Sequence, residues 1–151
     1  SSIAVEMTNT TIANTGVKAA TIFRTNTKQG NVSLVVKNCT FYNLFSGEAL
    51  MRDIIGGTNS FTAENILFAG SGSVKIFNKT SDAPGIINGS KIYSSSDLTV
   101  ANAGEVSTTA LSYSSSQLFP NASSSTDVLD LTFGADIPNE VKIIGDPRWN
   151  K

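Results

Sequence analysis

The sequence predicts an all-β chain wound as a short parallel β-helix, a solenoid finished by an irregular C-terminal cap. Three observations carry that expectation. A strand-turn-strand motif returns at near-regular intervals of 29 and then 27 residues, marked by Asn9, Asn38 and Asn65. Repeats of that length fit one coil of a β-helix better than a propeller blade, which needs about 40 residues. Only 15% of the 151 residues are charged, and Ser, Thr, Asn and Gly are abundant, which favours turns and polar-faced strands over helices laced by Glu and Lys. Apolar residues before each asparagine keep a period of two, the mark of a strand with alternate side chains in a core.

The first strand of each coil lies upstream of the asparagine. With Asn9, Asn38 and Asn65 in one column, Met7, Val36 and Ala63 stand two positions earlier, and Val5, Leu34 and Phe61 stand four earlier. Ile12, Phe41 and Phe68 stand three positions later, and this odd step says that the chain turns at the asparagine. Asn enters the left-handed backbone region more readily than most residues, so it suits a tight bend. Bends stacked about 4.8 Å apart let the amides hydrogen-bond in a ladder. Asn9, Asn38 and Asn65 are the expected structural ladder, continued by Asn88, with Asn14 and Asn43 as a shorter second one. Cys39, in "NCTFYN", is then a small packing neighbour.

A second strand follows in each coil, as "TIFRT" (21–25), "ALMRD" (49–53) and "VKIFNK" (74–79), after connections bearing Gly16, Gly47, and Gly70 with Gly72. A looser fourth window, "PGIINGSKIYSSS", ends the regular coils, which span about residues 3–93. From about residue 94 the chain is serine-rich, yet short apolar patches at Leu98–Val100, Leu118–Phe119, Val128–Phe133 and Val141–Ile144 argue for order. Residues 94–151 are expected as irregular coils and a cap, with mobile loops near 94–97 and 121–126 and with Trp149 covering the last coil. The whole chain, 1–151, reads as one domain.

Composition narrows the chemistry. Eleven basic residues against twelve acidic ones leave a net charge of −1 and no electrostatic footprint for nucleic acid. Histidine is absent and cysteine occurs once, which removes the commonest general base, an intrachain disulfide and a thiolate metal cluster. No apolar run approaches the roughly 20 residues that span a bilayer as a helix. The acids are scattered, with Asp127 near Asp130 and Asp146 in the terminal motif as the only local groupings. No catalytic residue, metal ligand or cofactor is assigned; calcium is the one ion left open, without a dedicated donor set to support it.

The candidate ligand-binding residues lie on the second strand. Arg24 and Arg52 share a column continued by Asn78, with Asp53 beside Arg52. Such a row offers planar donors to sugar hydroxyls or uronate carboxylates. A plain solvent face is the competing reading. Lys37 and Glu64 share an outward column and are expected to pair across strands. Tyr42, Tyr93, Tyr113 and Trp149 are the aromatics from which a sugar-stacking platform would have to come.

The rung "NCTFYN", the strand "ALMRDI", the late "SSSQLF" and the terminal "IIGDPRW" resemble a C-terminal domain of unknown function in pectate-lyase-like surface proteins of Bacteroidetes. The resemblance covers roughly residues 3–149, with "GDPRW" (Gly145 to Trp149) and the repeated rung as its specific parts. Where that family often has an acidic, glycine-bearing stretch after "LF", this chain reads "LFPNASSSTDVLDLTF". The resemblance implies a right-handed, pectate-lyase-like β-helix, export with a signal or lipoprotein anchor, and a cell-surface or extracellular place in polysaccharide use. It supplies no catalytic mechanism. It also implies that further domains precede this one in a longer polypeptide, and an opening strand with apolar side chains agrees, because solenoid ends need covering. The expected function is non-catalytic glycan binding; a polysaccharide lyase or glycoside hydrolase is the alternative, and a structural spacer the third reading.

Overall fold

The computed structural model describes residues 2–14, 21–24, 31–44, 49–78, 83–101, 106–122 and 128–151. Gly16, Gly47, Asp127 and most of the 121–126 stretch lie outside them. Strands β1 (Ser2–Thr8), β2 (Thr11–Ala13), β4 (Asn31–Tyr42), β6 (Gly56–Ala69), β8 (Pro84–Ser94) and β10 (Thr109–Ala110) form one sheet, in the order β1-β4-β6-β8-β10 with β2 also on β4. Strands β3 (Thr21–Arg24), β5 (Ala49–Arg52), β7 (Gly72–Phe77) and β9 (Leu98–Ala101) form a second, in chain order. Every pairing is parallel, and each strand pairs with its counterpart one repeat away. The result is a β-helix-like solenoid of two parallel sheets.

Alternation builds the core. In β4, Val32, Leu34 and Val36 are buried while Ser33, Val35 and Lys37 are half-buried. Leu34 pairs with Phe61 and Val36 with Ala63 in the next coil, so these two inward columns are continuous. The bend at Asn38 shifts the phase, and Cys39 and Phe41 turn inward after it. Phe41 stacks on Phe68 with ring centroids 5.1 Å apart, and Phe61 meets Phe77 of the second sheet edge-on at 6.1 Å. Asn59 interrupts the apolar column beneath Val32, but its amide is satisfied: Oδ1 accepts from Val32 N at 2.7 Å and Nδ2 donates to the Ile55 carbonyl at 2.9 Å. At the sheet edge, Ile3 shares the column of Val32 yet stays 57% exposed, because β1 has a paired neighbour on one side alone among the described residues.

The C-terminal segment differs from the expected end cap. Helices α1 (Ser115–Leu118) and α2 (Asn139–Lys142), a 3-10 turn (Pro147–Trp149) and the described residues around them lie along the side of the solenoid. Leu118, Phe119, Leu131, Phe133, Ile137, Val141 and Ile144 make a second core against Leu67 and Ala69. The cause is the outward side of the half-strands after the bend. "ILFA" at 66–69 is apolar on both parities, so both faces must leave water. Trp149 accordingly sits over the first coil, where its Nε1 donates to Thr11 Oγ1 at 2.7 Å, and not over the last. The 94–97 turn also differs from the expected mobile loop. Ser94 and Ser95 are buried, and Ser95 Oγ bonds the backbone N–H and carbonyl of Gly70, each at 3.2 Å.

Candidate functional site

Two asparagine columns position everything around them. Asn9, Asn38 and Asn65 have φ of 49°, 52° and 57°, and each amide reaches the one before it. Asn38 Nδ2 donates to Asn9 Oδ1 at 3.2 Å, and Asn65 Nδ2 donates to Asn38 Oδ1 at 3.0 Å. Five residues on, Asn43 Nδ2 donates to Asn14 Oδ1 at 2.8 Å. Asn88 does not continue the first column. Ala63 pairs with Gly89 and Ile66 with Ile92, which puts Lys91, at φ 54°, on the bend and leaves Asn88 opposite Thr62. The step from Asn65 to Lys91 is one residue shorter than that from Asn38 to Asn65, and a sequence alignment on asparagine alone slips there.

The terminal motif clamps this column from outside. Gly145 N donates to Asn65 Oδ1 at 3.3 Å, and Asn65 Nδ2 also reaches the Ile143 carbonyl at 3.2 Å. Asp146 is 1% exposed: its N–H donates to Thr40 Oγ1 at 2.9 Å, and its carboxylate accepts from Thr11 Oγ1 at 2.7 Å and lies 2.8 Å from Arg148 Nε. Arg148 Nη2 donates to the Asn9 carbonyl at 3.0 Å. The motif with the strongest look of a site is therefore a fastening between the last residues and the first three coils.

The four ligand-binding candidates lie together on the second sheet. Arg24 pairs with Arg52 across β3 and β5, and Asn78 follows Phe77, the partner of Met51, so the three occupy one column. Asn78 N donates to the Met51 carbonyl at 3.1 Å. Arg24 Nε donates to Asp53 Oδ2 of the next coil at 3.0 Å. Asp53 holds φ 62° at the end of β5, a conformation that Asp tolerates better than most residues. This Arg24 bond uses Nε alone, and its terminal N–H groups donate to no described residue. Arg52 has no ion pair with one. The column is thus a short row of planar polar groups on a rigid sheet, with one carboxylate holding the first guanidinium in place.

Other candidates fall into packing roles. Cys39 is buried, its Sγ 3.2 Å from the Lys37 carbonyl, and burial pushes its thiol up from the ordinary value. Lys37 Nζ stands 3.8 Å from Glu64 Oε2, an open surface pair. Tyr42 meets Phe119 edge-on at 5.8 Å, and Tyr93 packs on the second core. Asp130 accepts from Thr132 N at 2.9 Å, and its hydrogen bonds with Thr132 lead the causes that lower its pKa. Among the described residues no three His, Cys, Asp or Glu side chains converge as a metal donor set, and no helix is long and apolar enough to cross a membrane.

Asp97 is a site-like carboxylate that sequence reasoning passed over. Burial raises its pKa, but hydrogen bonds from the Ser115 side chain and backbone, at 2.5 and 2.8 Å, and from Ser95 outweigh it, and the net direction is down. The signal was the capping box in "SSSQLF": Ser114 Oγ accepts from Gln117 N while Gln117 Oε1 accepts from Ser114 N. No protein-family model, no curated protein and no solved structure matches the chain.

Proposed function

We propose that this chain is a non-catalytic polysaccharide-binding module of an exported, cell-surface protein, wound as a right-handed, pectate-lyase-like β-helix. The observation that carries the reading is the Arg24–Arg52–Asn78 column on one rigid sheet. Parallel strands space these side chains about 4.8 Å apart, so successive groups offer forked N–H donors along a line. Such a line suits hydroxyl or carboxylate groups repeated along an extended glycan. The Arg24–Asp53 pair supports binding over cleavage, because the acid nearest the arginines is engaged as a hydrogen-bond acceptor. The resemblance through "NCTFYN" and "IIGDPRW" agrees with this setting, with upstream domains in the same polypeptide and an extracellular or lipoprotein-anchored location.

A glycan array and a cleavage screen, each run with and without calcium, test the reading, with an Arg24→Ala/Arg52→Ala variant alongside. Binding without cleavage, lost in the variant, is the expected result. Cleavage abolished by either arginine change would make the domain a lyase or hydrolase. Silence in every arm would leave a structural spacer.

A further inference from the structure

A cleft of about 270 Å³ opens on the C-terminal segment, away from the arginine column. Its walls come from the α1 region and from residues 134–137. Three features hold it open and rigid. The capping box fixes the Gln117 side chain, since Gln117 Oε1 accepts from Ser114 N at 2.8 Å. Gly134 N donates to the Leu118 carbonyl at 2.9 Å, and a Cβ at Gly134 would come within 2.7 Å of the Gln117 carbonyl oxygen, so only glycine brings the walls this close. The carbonyl of Tyr113 accepts from Ser96 N at 2.8 Å, tying that residue to the last coil.

The lining mixes apolar and polar groups. Ile137 and Pro120 supply apolar surface, and Tyr113 an aromatic ring. With Oε1 committed, Gln117 keeps its Nε2 donors, and Asp136 adds a carboxylate that no described residue engages. None of the lining residues is basic. Pockets for drug-sized ligands run from about 300 to 1,000 Å³, and this cleft falls just below that range, a size that suits a single ring. A saturated ring with C–H faces and radiating hydroxyls matches an aromatic wall, one donor and one acceptor. An anionic ring would face Asp136 with no cation to offset the repulsion.

We propose that this cleft is a second carbohydrate subsite, one that takes a single neutral sugar residue. The choice of a sugar rests on the glycan-binding reading above; the size and charge of the ligand rest on the cleft. Amide chemical shifts of the intact chain, followed while neutral monosaccharides and, separately, galacturonate are titrated in, test it. The expected result is saturable shifts clustered at residues 113–117 and 134–137 for at least one neutral sugar and none for galacturonate. Asp136→Ala should weaken that binding about tenfold, the size of a lost hydrogen bond to a charged group. Ala135→Trp, at an exposed lining position, should abolish it by filling the space while leaving the spectrum folded. No clustered shifts from any neutral sugar, equal shifts from galacturonate, or shifts that survive both variants would overturn the proposal. The Arg24→Ala/Arg52→Ala variant separates the two readings: cleft binding that persists there while array binding vanishes supports both. Array binding lost in that variant with a silent cleft sinks the subsite alone, and cleft shifts with array binding unaffected by it sink the arginine column alone.

Discussion

At the scale of single residues, the ladder makes demands that the surface pairs beside it do not. Asn38 holds φ 52°, donates to Asn9 and accepts from Asn65. Asn38→Leu forces a bulky side chain into the left-handed region and removes both bonds, a loss of about 2–4 kcal/mol. Lys37→Ala removes a surface pair 3.8 Å apart and should cost less than about 0.5 kcal/mol. Urea unfolding of both variants checks the contrast, and equal midpoints would contradict the register. The same logic runs in reverse at Lys91, which occupies the bend without a ladder amide. Lys91→Asn places a residue suited to positive φ beneath Asn65, and a gain of up to about 1 kcal/mol is expected. A loss there would mean that the lysine has a role in the fourth coil that its backbone does not show.

At the scale of elements, the strands were legible and the segment beside them was not. Period-two columns such as Val5, Leu34 and Phe61 need only local alternation to be seen, and the structure stacks them coil on coil. Asn88 misled because asparagine marks a bend only where the register puts one, and that register depends on the length of a connection. The lateral packing of Leu118, Phe119, Leu131, Phe133, Ile137, Val141 and Ile144 depends on non-local contacts, which alternation cannot report. Its one local trace was the unbroken apolar run Ile66–Ala69. The arginine column was visible as a shared position, whereas the cleft needs two segments about 20 residues apart to meet, which no spacing rule encodes.

The fastening of that segment supplies two predictions of its own. Gly145 holds φ 83°, and a Cβ there would collide with Thr40 Oγ1 and crowd Leu67. Gly145→Ala should destabilise by about 2–4 kcal/mol through backbone strain and overpacking, readable as a lowered thermal midpoint with the fold retained. Asp97 ties α1 to the last coils, and its folded pKa lies below the ordinary 3.8 because Ser115 bonds outweigh burial. A depressed carboxylate pKa contributes stability that is full above the unfolded value and disappears as pH falls through the folded one. Stability should therefore drop below about pH 3.8, and Asp97→Asn should flatten that part of the profile in acid titrations followed by circular dichroism. An unchanged slope would remove Asp97 from the acid response.

At the scale of the whole molecule, the two cores share a wall. Leu67 and Ala69 belong to β6, whose other side chains Ile66 and Phe68 face the solenoid interior, so one strand is packed on both faces. Losing the lateral segment would bare an apolar strip of the sheet, and losing the sheet would leave the segment no surface to fold on. The two should therefore open together, although their sequences look like separate regions. Native-state hydrogen exchange tests this directly. Amides of β4 and β6 and those near Leu118, Val141 and Ile144 should exchange with one common free energy, equal to that of global unfolding. Amides of β1 should open more easily, because Ile3 and Val5 are exposed and β1 is paired on one side. If residues 118–144 exchanged well before β6, the lateral segment would be an independent, weaker unit, and its cleft would lie on a mobile support in place of a rigid one.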